Sequence, residues 1–312
     1  MIDVIIPVYR PDDKLERLVE KLAVQTIQPT HVYFMQTLVD EKEDERVKNI
    51  LERLPNGQIV PIEKKDFDHG GTRNLGASLS KEPYMLFMTQ DAVPENEYLI
   101  EKIVKPFSDD EKIAAVYGRQ LPSEEVGVIE HYTRQFNYPD NDSVKSKEDL
   151  ERLGIKTYFC SNVCAAYKNE IYRNLGGFVT KTIFNEDMIM ASKIIDAGYK
   201  IAYASGAKVI HAHKYTYRQQ LTRNFDMAVS QCQYREIFER VKSESEGIKL
   251  VKQTAKYLLS CGKGYLLFDL VLQSGFKLIG YKLGLKYEKL PMWLVKKCSM
   301  NKAYWKETKN GK

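Results

Sequence analysis

Cysteine is scarce in this sequence, and its few Cys residues are scattered along the chain. There are five among 312 residues, and none belongs to a Cys-x-x-Cys pair. This pattern excludes a small disulfide-stapled secreted domain and a zinc ribbon. We therefore interpret all five as reduced thiols and expect a cytoplasmic protein. They are Cys160, Cys164, Cys232, Cys261 and Cys298.

Long apolar runs are also missing. No stretch has 18 consecutive apolar residues, so we expect no membrane-spanning helix. The opening segment, MIDVIIPVYRPDD, has no basic residues ahead of its apolar run and meets acidic residues soon after it. We therefore do not expect it to be a secretory signal peptide.

The two common glycine-rich phosphate loops do not occur. The segment Asp68-His69-Gly70-Gly71-Thr72-Arg73-Asn74 contains a Gly pair, but no Gly-Lys-Ser/Thr follows it. Nor does it have the Gly-x-Gly-x-x-Gly spacing. The first absence excludes a P-loop nucleoside triphosphatase, and the second weakens the case for a dinucleotide-dependent dehydrogenase.

The composition is otherwise that of a globular protein, with 43% hydrophobic and 29% charged residues. The length favours one large domain with an appendage. The formal net charge of +5 is unevenly distributed. From Ile248 to the end there are fourteen Lys, no Arg and three acidic residues, a net +11, so the preceding residues sum to −6. This asymmetry indicates that the C-terminal part alone binds an anionic surface. Nucleic acid is not the expected partner, because proteins that recognise base edges rely on Arg.

Apolar runs and helical patterns alternate through the first 120 residues, with short connections between them. This alternation predicts parallel β-α-β units in a doubly wound α/β sheet, with ligands at the carboxyl ends of the strands. The pattern weakens after Leu121, and from Thr216 onward it is mostly helical. We predict two regions, residues 1–215 and 216–312. The expected strands are Ile2–Tyr9, Val32–Met35, Ile59–Ile62, Tyr84–Met88, Ile113–Tyr117, Thr157–Tyr167 and Lys208–His213.

Acidic residues stand at two places where chemistry is expected. Asp91 follows an apolar strand, so its carboxylate can hold a divalent cation or a substrate hydroxyl at the sheet edge, or can cap a turn. Glu186 and Asp187 open an amphipathic helix. Acids are favoured there by the helix dipole, and one of the pair can alternatively serve as a general base.

Two imidazoles and several guanidinium groups complete the candidates. His211 and His213 are two residues apart at a strand end, a spacing that lets both rings face one cavity and hold a metal or a diphosphate. The turn at Asp68 can receive a phosphate on backbone N–H groups, with Arg73 adding a charged fork. Arg218 and Arg223 either neutralise a leaving diphosphate or lie on a solvated helix face.

Eight segments follow one another along the chain: DVIIPVYR, DFDHGGTRNLG, MTQDAV, VYGRQLP, FCSNVCAAY, LGGF, NEDM and VIHAHKYTYRQQLTRNFD. Taken in this order, they resemble the inverting family 2 glycosyltransferases of the GT-A fold, and bacterial rhamnosyltransferases in particular. The resemblance covers roughly residues 1–230. It implies a Rossmann-like, mostly parallel sheet flanked by helices, with a C-terminal helical extension.

The resemblance also implies roles for individual residues. Asp187 is the implied catalytic base. A nucleotide diphosphate sugar needs a cation between its phosphates, and Asp91 together with His211 or His213 supplies oxygen and nitrogen ligands for Mg²⁺ or Mn²⁺. The spacing alone does not decide between the two His residues. Two positions depart from the family pattern: Gln36 stands where an acidic turn usually begins, and the usual Asp-x-Asp has become Gln90-Asp91-Ala92. The implied donor-binding residues are Pro7, Tyr9, Arg10, Gln36, Asp68, Arg73, Gln90, Asp91, Arg119, Arg218 and Arg223.

We therefore expect an enzyme that transfers L-rhamnose from dTDP-β-L-rhamnose to a glycan acceptor, free or lipid-linked, in surface polysaccharide synthesis. A different donor, such as a UDP-hexose, is the alternative within this fold. A non-catalytic protein that binds a sugar nucleotide or a polysaccharide is the alternative outside it.

The C-terminal region interleaves aromatic and aliphatic residues with Lys. Basic, aromatic-rich helices without a spanning run are typical of the membrane interface, so we expect peripheral contact with the inner face of the cell membrane. The alternative is that the apolar residues pack on the catalytic core or form a homodimer.

Overall fold

The computed structural model of the chain describes residues 1–241 and 244–307. Residues 242–243 and 308–312 of the predicted C-terminal region lie outside the described residues. The strands are β1 Ile2–Val8, β2 Val32–Thr37, β3 Gly57–Ile62, β4 Tyr84–Met88, β5 Val93–Pro94, β6 Ile113–Leu121, β7 Ser143–Lys145, β8 Cys164–Lys168 and β9 Lys200–Ile210. The helices are α1 Lys14–Ala23, α2 Glu41–Leu51, α3 His69–Leu79, α4 Leu99–Asp109, α5 Val128–Asn137, α6 Leu150–Leu153, α7 Asn169–Asn174, α8 Glu186–Asp196, α9 Tyr217–Gln233, α10 Arg235–Phe238, α11 Glu244–Ser260, α12 Leu267–Gly284, α13 Met292–Cys298 and α14 Tyr304–Glu307.

One mixed sheet contains these strands in the order β3-β2-β1-β4-β8-β6-β9-β5, with β7 paired to β9. Pairing is parallel from β3 to β4 and again between β6 and β9. Strand β8 runs antiparallel to both β4 and β6. The carboxyl ends of β1, β4, β6 and β9 therefore lie along the same edge, because β4 and β6 point the same way. The α/β class with β-α-β units is confirmed, and the antiparallel strands are the part that the alternation did not reveal.

The strand predicted at Thr157–Tyr167 is wrong over its first half. Gly154–Tyr158 is a 3-10 helix, and β8 starts only at Cys164. The 3-10 turn begins at Gly154, whose φ of 54° few other residues adopt readily. Its far end is held by Lys145, whose Nζ donates hydrogen bonds to the carbonyl oxygens of Lys156 and Phe159.

Two compact units are distinguished within the described residues. The first contains Met1–Glu124, Asn137–Thr180 and Glu186–Ala212, which include the whole sheet. The second contains Glu125–Phe136, Lys181–Asn185 and the described residues from His213 onward. The division of the chain into 1–215 and 216–312 stays a prediction.

The core of the first unit lies between the sheet and its helices. Helix α1 buries Leu15, Leu18, Val19 and Leu22, the residues whose spacing predicts this helix. They pack in one cluster with β-branched and aromatic strand residues such as Phe34. Burial of such a side chain stabilises a fold by about 1.5–3 kcal/mol. Because helices cover both faces of a parallel sheet, both faces of its strands are buried, and the strand sequences are near-continuous apolar runs.

The second unit is helical, and two glycines allow a close contact between two of its helices. A Cβ added at Gly280 would lie 2.1 Å from the carbonyl oxygen of Leu221. One added at Gly284 would lie 2.4 Å from that of Phe225. Helix α12 therefore meets the backbone of α9 directly along a Gly-x-x-x-Gly seam. No helix in the described part of the chain is both long and apolar enough to cross a membrane.

Candidate active site

The sheet edge formed by the carboxyl ends of β1, β4, β6 and β9 carries many of the predicted donor-binding residues. Pro7 is in β1, and Tyr9 and Arg10 follow it. Gln90 and Asp91 follow β4. Arg119 is partly buried near the end of β6. Because ligands of open α/β sheets bind at this edge, the fold brings these predicted residues to the expected place.

Gln90 is bonded to the end of β1. Its Oε1 accepts a hydrogen bond from the Tyr9 amide at 2.7 Å, and its Nε2 donates one to the Tyr9 carbonyl at 3.0 Å. The next residue, Arg10, has a φ of 42°, so the chain turns sharply there. The guanidinium of Arg10 lies 5.6 Å and the ammonium of Lys64 lies 5.8 Å from the Tyr9 ring centroid. Gln90 thus fixes the backbone that presents Tyr9 and Arg10.

Asp91, His211 and His213 form a cluster that could hold a metal ion. One ligand atom from each lies within 4.8 Å of the others. The Nε2 atom of His211 is 3.5 Å from Asp91 Oδ2. Strand β9 ends at Ile210, so the two His residues follow the strand, and His211 is tied to β6 by its amide, which donates to the Leu121 carbonyl at 2.9 Å.

Gln120 orients the His211 ring. Its Oε1 is 3.0 Å from His211 Nδ1, so the tautomer that carries its proton on Nδ1 donates to this oxygen and leaves a lone pair on Nε2 for a cation. The Nε2 lone pair is then directed toward Asp91. A carboxylate with imidazole nitrogens is a donor set that suits Mn²⁺, and an outer hydrogen bond on the second ring nitrogen is typical of metal-binding histidines. The residues present therefore fit a divalent cation.

The acid pair at the start of α8 lies against Arg73. An oxygen of Glu186 is 3.3 Å from Arg73 Nη1, and both side chains are largely buried. The side-chain amide of Asn162 donates to the same Glu186 oxygen at 3.5 Å. Asp187 accepts hydrogen bonds from the backbone amides of Met188 at 2.7 Å and Asn162 at 3.4 Å.

The pKa values of the Glu186 and Asp187 carboxyl groups are shifted in opposite directions. Burial and the neighbouring Glu186 charge raise the pKa of Asp187 to about 7. Burial alone would raise the pKa of Glu186 too, but Arg73 and His69 offset it and hold that pKa below its usual value. Burial lowers the pKa of the His69 ring. Adjacent acids whose pKa values diverge in this way are an arrangement found in acid-base catalysis.

The predicted phosphate turn at Asp68 has structural contacts of its own. Asp68 caps α3 by accepting from the Gly71 amide at 2.6 Å. A Cβ at Gly70 would lie 1.9 Å from the Val179 carbonyl oxygen, so this position accepts only glycine. Arg73 also donates to the His69 carbonyl at 3.0 Å. The structure therefore brings Arg73 to the acid pair.

The remaining predicted donor-binding residues are Gln36, Arg218 and Arg223. The Gln36 side chain is buried, and its Nε2 donates to the backbone and side-chain oxygens of Asp44 at 3.4 and 3.3 Å. In the second unit, the Arg223 guanidinium lies 4.7 Å from the ring centroid of Phe184. Arg218 is exposed in the first turn of α9.

Two contributors to the site escaped sequence reasoning, Gln120 and Asn162. Both lie inside segments that resemble the family, VYGRQLP and FCSNVCAAY, but nothing in their local pattern marks them. Gln120 becomes informative only through the β6/β9 register, which pairs it with Val209, two residues before His211. Asn162 becomes informative only in the folded chain, because the loop before β8 reaches the start of α8.

Comparisons with known proteins agree with this geometry. Residues 3–176 match the family model for glycosyl transferase family 2. The chain is 37% identical to the O-antigen chain rhamnosyltransferase RfbN of Salmonella typhimurium, covering 97% of this chain and 96% of the relative. It is 39% identical to WbaN of Salmonella anatum, another O-antigen chain rhamnosyltransferase, covering 90% of this chain and 88% of the relative.

Solved structures support the fold. The mannosyltransferase PcManGT from Pyrobaculum calidifontis, in complex with GDP-Man and Mn²⁺, matches with a TM-score of 0.61 at 16% identity, over 93% of this chain and 88% of that one. TarS 1-349 of S. aureus, in complex with UDP-GlcNAc, matches with a TM-score of 0.55 at 15% identity, over 92% and 91%. The expected resemblance is confirmed, and the chain belongs to glycosyltransferase family 2.

Proposed function

We propose that this protein is an inverting glycosyltransferase that moves L-rhamnose from dTDP-β-L-rhamnose to a glycan acceptor in surface polysaccharide synthesis. The likeness to two O-antigen chain rhamnosyltransferases, over 97% and 90% of this chain, supports rhamnose as the sugar and a surface glycan as the product. The observation that carries the chemistry is the partly buried Asp187 carboxyl beside the Arg73–Glu186 ion pair.

Asp187 is the proposed general base. Its ionised carboxylate takes the proton of the acceptor hydroxyl while that oxygen forms a bond to the anomeric carbon. The bond from this carbon to the diphosphate oxygen breaks, and its electron pair leaves with dTDP. A single displacement inverts the anomeric centre, so the β-linked donor gives an α-linked product. A pKa of about 7 suits this role, because the base is ionised yet basic near neutral pH.

Asp91, His211 and His213 would hold Mn²⁺ or Mg²⁺, of which Mn²⁺ is favoured by the imidazole ligands. When bound, the cation supplies charge stabilisation for the leaving diphosphate. The protein's own part is to orient the ligands. The side chain of Gln120 orients the His211 ring, and the pairing of β6 with β9 fixes the backbone of Gln120 and His211. Arg218 and Arg223 remain proposed partners of the diphosphate.

Purified full-length protein and a panel of nucleotide sugars test the proposal. We expect nucleotide release from dTDP-rhamnose in preference to UDP-glucose, UDP-galactose and GDP-mannose, and loss of release on chelation that Mn²⁺ restores. Preference for a UDP-hexose would replace the donor but keep the reaction. Binding of dTDP-rhamnose without turnover of any donor, with and without a glycan extract, would favour the non-catalytic alternative.

We also propose that α12 touches an anionic membrane surface, on the inner face of the cell membrane. One stripe of this helix is exposed and apolar: Phe268 is 73%, Val271 65% and Leu278 57% exposed. Lys282 and Lys286 are exposed just beyond it. Apolar residues beside lysines match the acyl and phosphate layers of an anionic leaflet, and each Lys near such a leaflet contributes about 1 kcal/mol.

Co-sedimentation with vesicles tests this contact. We expect binding to phosphatidylglycerol vesicles at low salt, release at high salt and no binding to phosphatidylcholine. The double variant Phe268→Ser, Val271→Ser should lose binding, whereas Val24→Ser, which changes a 59% exposed residue of the first unit, should keep it. A concentration-dependent doubling of mass in solution, with no vesicle binding, would assign the stripe to a homodimer instead.

A further inference from the structure

The second unit contains a cavity of about 440 Å³ to which no role has been assigned above. Its walls come from three places in this unit: the segment that leads into α5, the segment before α9, and the first two turns of α12. Its volume falls in the range of small-molecule sites, about 300–1,000 Å³. The described residues of one unit form all of its lining.

Asp269 is the central polar group of this cavity, and two neighbours hold it in place. Its Oδ1 accepts a hydrogen bond from the Tyr217 hydroxyl at 2.5 Å, and its Oδ2 accepts one from Gln273 Nε2 at 2.9 Å. Each carboxylate oxygen has a second lone pair, so the fixed carboxylate can still accept from a ligand. Because Tyr217 uses its proton on Asp269, its oxygen presents a lone pair as well.

Aromatic rings line the same cavity. Tyr217 stacks on Phe276, with ring centroids 5.5 Å apart and 21° between the planes. His213 and Tyr215 meet at 5.2 Å. All three of the lining residues Tyr217, Tyr215 and His213 offer flat surfaces for the C–H face of a pyranose ring, while fixed acceptors suit its hydroxyl groups.

The charges in the cavity favour a neutral ligand. Two acids, Glu130 and Asp269, and one ammonium group, that of Lys214, contribute to the lining, so acids outnumber cations there. Glu130 is bonded to Arg134, whose Nε lies 2.9 Å from its Oε1, and burial lowers the pKa of Lys277, which also faces Glu130. Asp269 is bonded to neutral partners, so its charge faces the cavity and disfavours a phosphate or a carboxylate.

We propose that this cavity is the subsite for a neutral pyranose of the acceptor glycan, with the Asp269 carboxylate accepting from sugar hydroxyls and Tyr217 stacking on the ring. This deepens the proposed glycosyl transfer and rests on it. His213 lines the cavity and also belongs to the cation cluster, so the same imidazole would lie beside both substrates. A site built to bond hydroxyl groups discriminates strongly against analogues that lack them.

Saturation-transfer NMR on the full-length protein tests the subsite with a fixed set of probes. These are the methyl glycosides of D-glucose, D-galactose, D-mannose and L-rhamnose, with methyl glucuronide as the acidic counterpart. We expect one or more neutral glycosides to receive saturation, and the glucuronide to bind more weakly than its neutral analogue. Asp269→Asn and Gln273→Leu should weaken binding by about tenfold or more, because a hydrogen bond to a charged group is lost or misdirected.

Glu288→Gln is the matched control, since it removes an exposed acid of the same unit that pairs with Arg235 and lies outside the cavity lining. It should leave glycoside binding unchanged, and thermal melting should show all three variants folded. Saturation absent across the panel, or unchanged in both Asp269→Asn and Gln273→Leu, would overturn the subsite. Nucleotide release from dTDP-rhamnose, measured on the same samples, keeps this outcome separate from failure of the proposed function.

Discussion

Replacing Asp187 by Asn exchanges one carboxylate oxygen for an amide NH2 group and keeps the shape of the side chain. The remaining oxygen can still accept the hydrogen bond from the Met188 amide. An amide cannot take a proton at neutral pH, and removal of a general base costs roughly 10²–10⁴-fold in rate. We therefore expect transfer to fall by that factor while dTDP binding stays within about twofold of the wild-type protein.

The pH dependence of the wild-type enzyme carries the same information. Since burial and Glu186 raise the pKa of Asp187 to about 7, kcat/KM should rise about tenfold per pH unit below pH 7 and level off above it. Removing the neighbouring charge with Glu186→Gln should lower that pKa and move the rising limb to lower pH. This variant should also lose stability, because Arg73 is left buried without its partner.

The stability of the folded protein should move in the opposite direction from activity. The pKa of Asp187 is above its ordinary value of 3.8 in the folded state, so the unfolded chain loses this proton first as pH rises. The contribution to the free energy of unfolding therefore declines between pH 4 and pH 7 and stays low above pH 7. The difference between 3.8 and about 7 corresponds to at most about 4 kcal/mol.

Asp187→Asn should accordingly raise Tm at pH 8 and have little effect near pH 3, where the wild-type carboxyl is mostly protonated in both states. Differential scanning calorimetry at these two pH values, together with initial rates across pH 5–9, gives all the quantities needed. Transfer at near wild-type rate in the Asn variant would assign the base elsewhere. A flat rate profile from pH 6 to pH 8, or a lower Tm at pH 8, would refute the electrostatic argument.

Three further outcomes are expected. Gln120→Leu should weaken Mn²⁺ binding measured by electron paramagnetic resonance by about 10–100-fold, approaching the loss in His211→Ala, because the ring loses its orienting acceptor; equal affinity to wild type would remove Gln120 from the site. Gly280→Ala should lower Tm, since its Cβ would meet the α9 backbone, whereas Gly275→Ala on the same helix, with nothing within 4 Å, should not; equal melting of the pair would contradict the seam. Burial lowers the pKa of Lys145 to about 7, below its ordinary 10.5, so the free energy of unfolding should rise from pH 7 toward pH 10, and Lys145→Met should flatten that slope in urea titrations.

The sequence predicts the first half of the sheet well, because its signals are local. Helix α1 is recognisable from four apolar residues at helical spacing, and β4 from five consecutive apolar residues before Asp91. The direction of β8 is a different matter. A strand such as Cys164–Lys168 is apolar whichever way it runs, so only the tertiary pairing with β4 and β6 decides that it is antiparallel.

The candidate site follows the same division. Asp187, Asp91 and the two His residues are identifiable because their residue types carry chemistry at element ends. The partner of Arg73 is not, because its guanidinium suits a phosphate or a carboxylate equally well. Only the fold, which sets α3 against the start of α8, places Glu186 within 3.3 Å of it. Long-range pairing of this kind leaves no local pattern.

The two faces of α12 are under opposite packing constraints. At Gly280 and Gly284 the facing backbone leaves no room for even one additional carbon atom. On the other face, Val271 and Leu278 are mostly exposed, so packing places no demand on their size or polarity. Substitutions on the outer face can therefore change what the helix binds without changing how the helix pair packs, whereas a side chain added at either glycine would force the two helices apart.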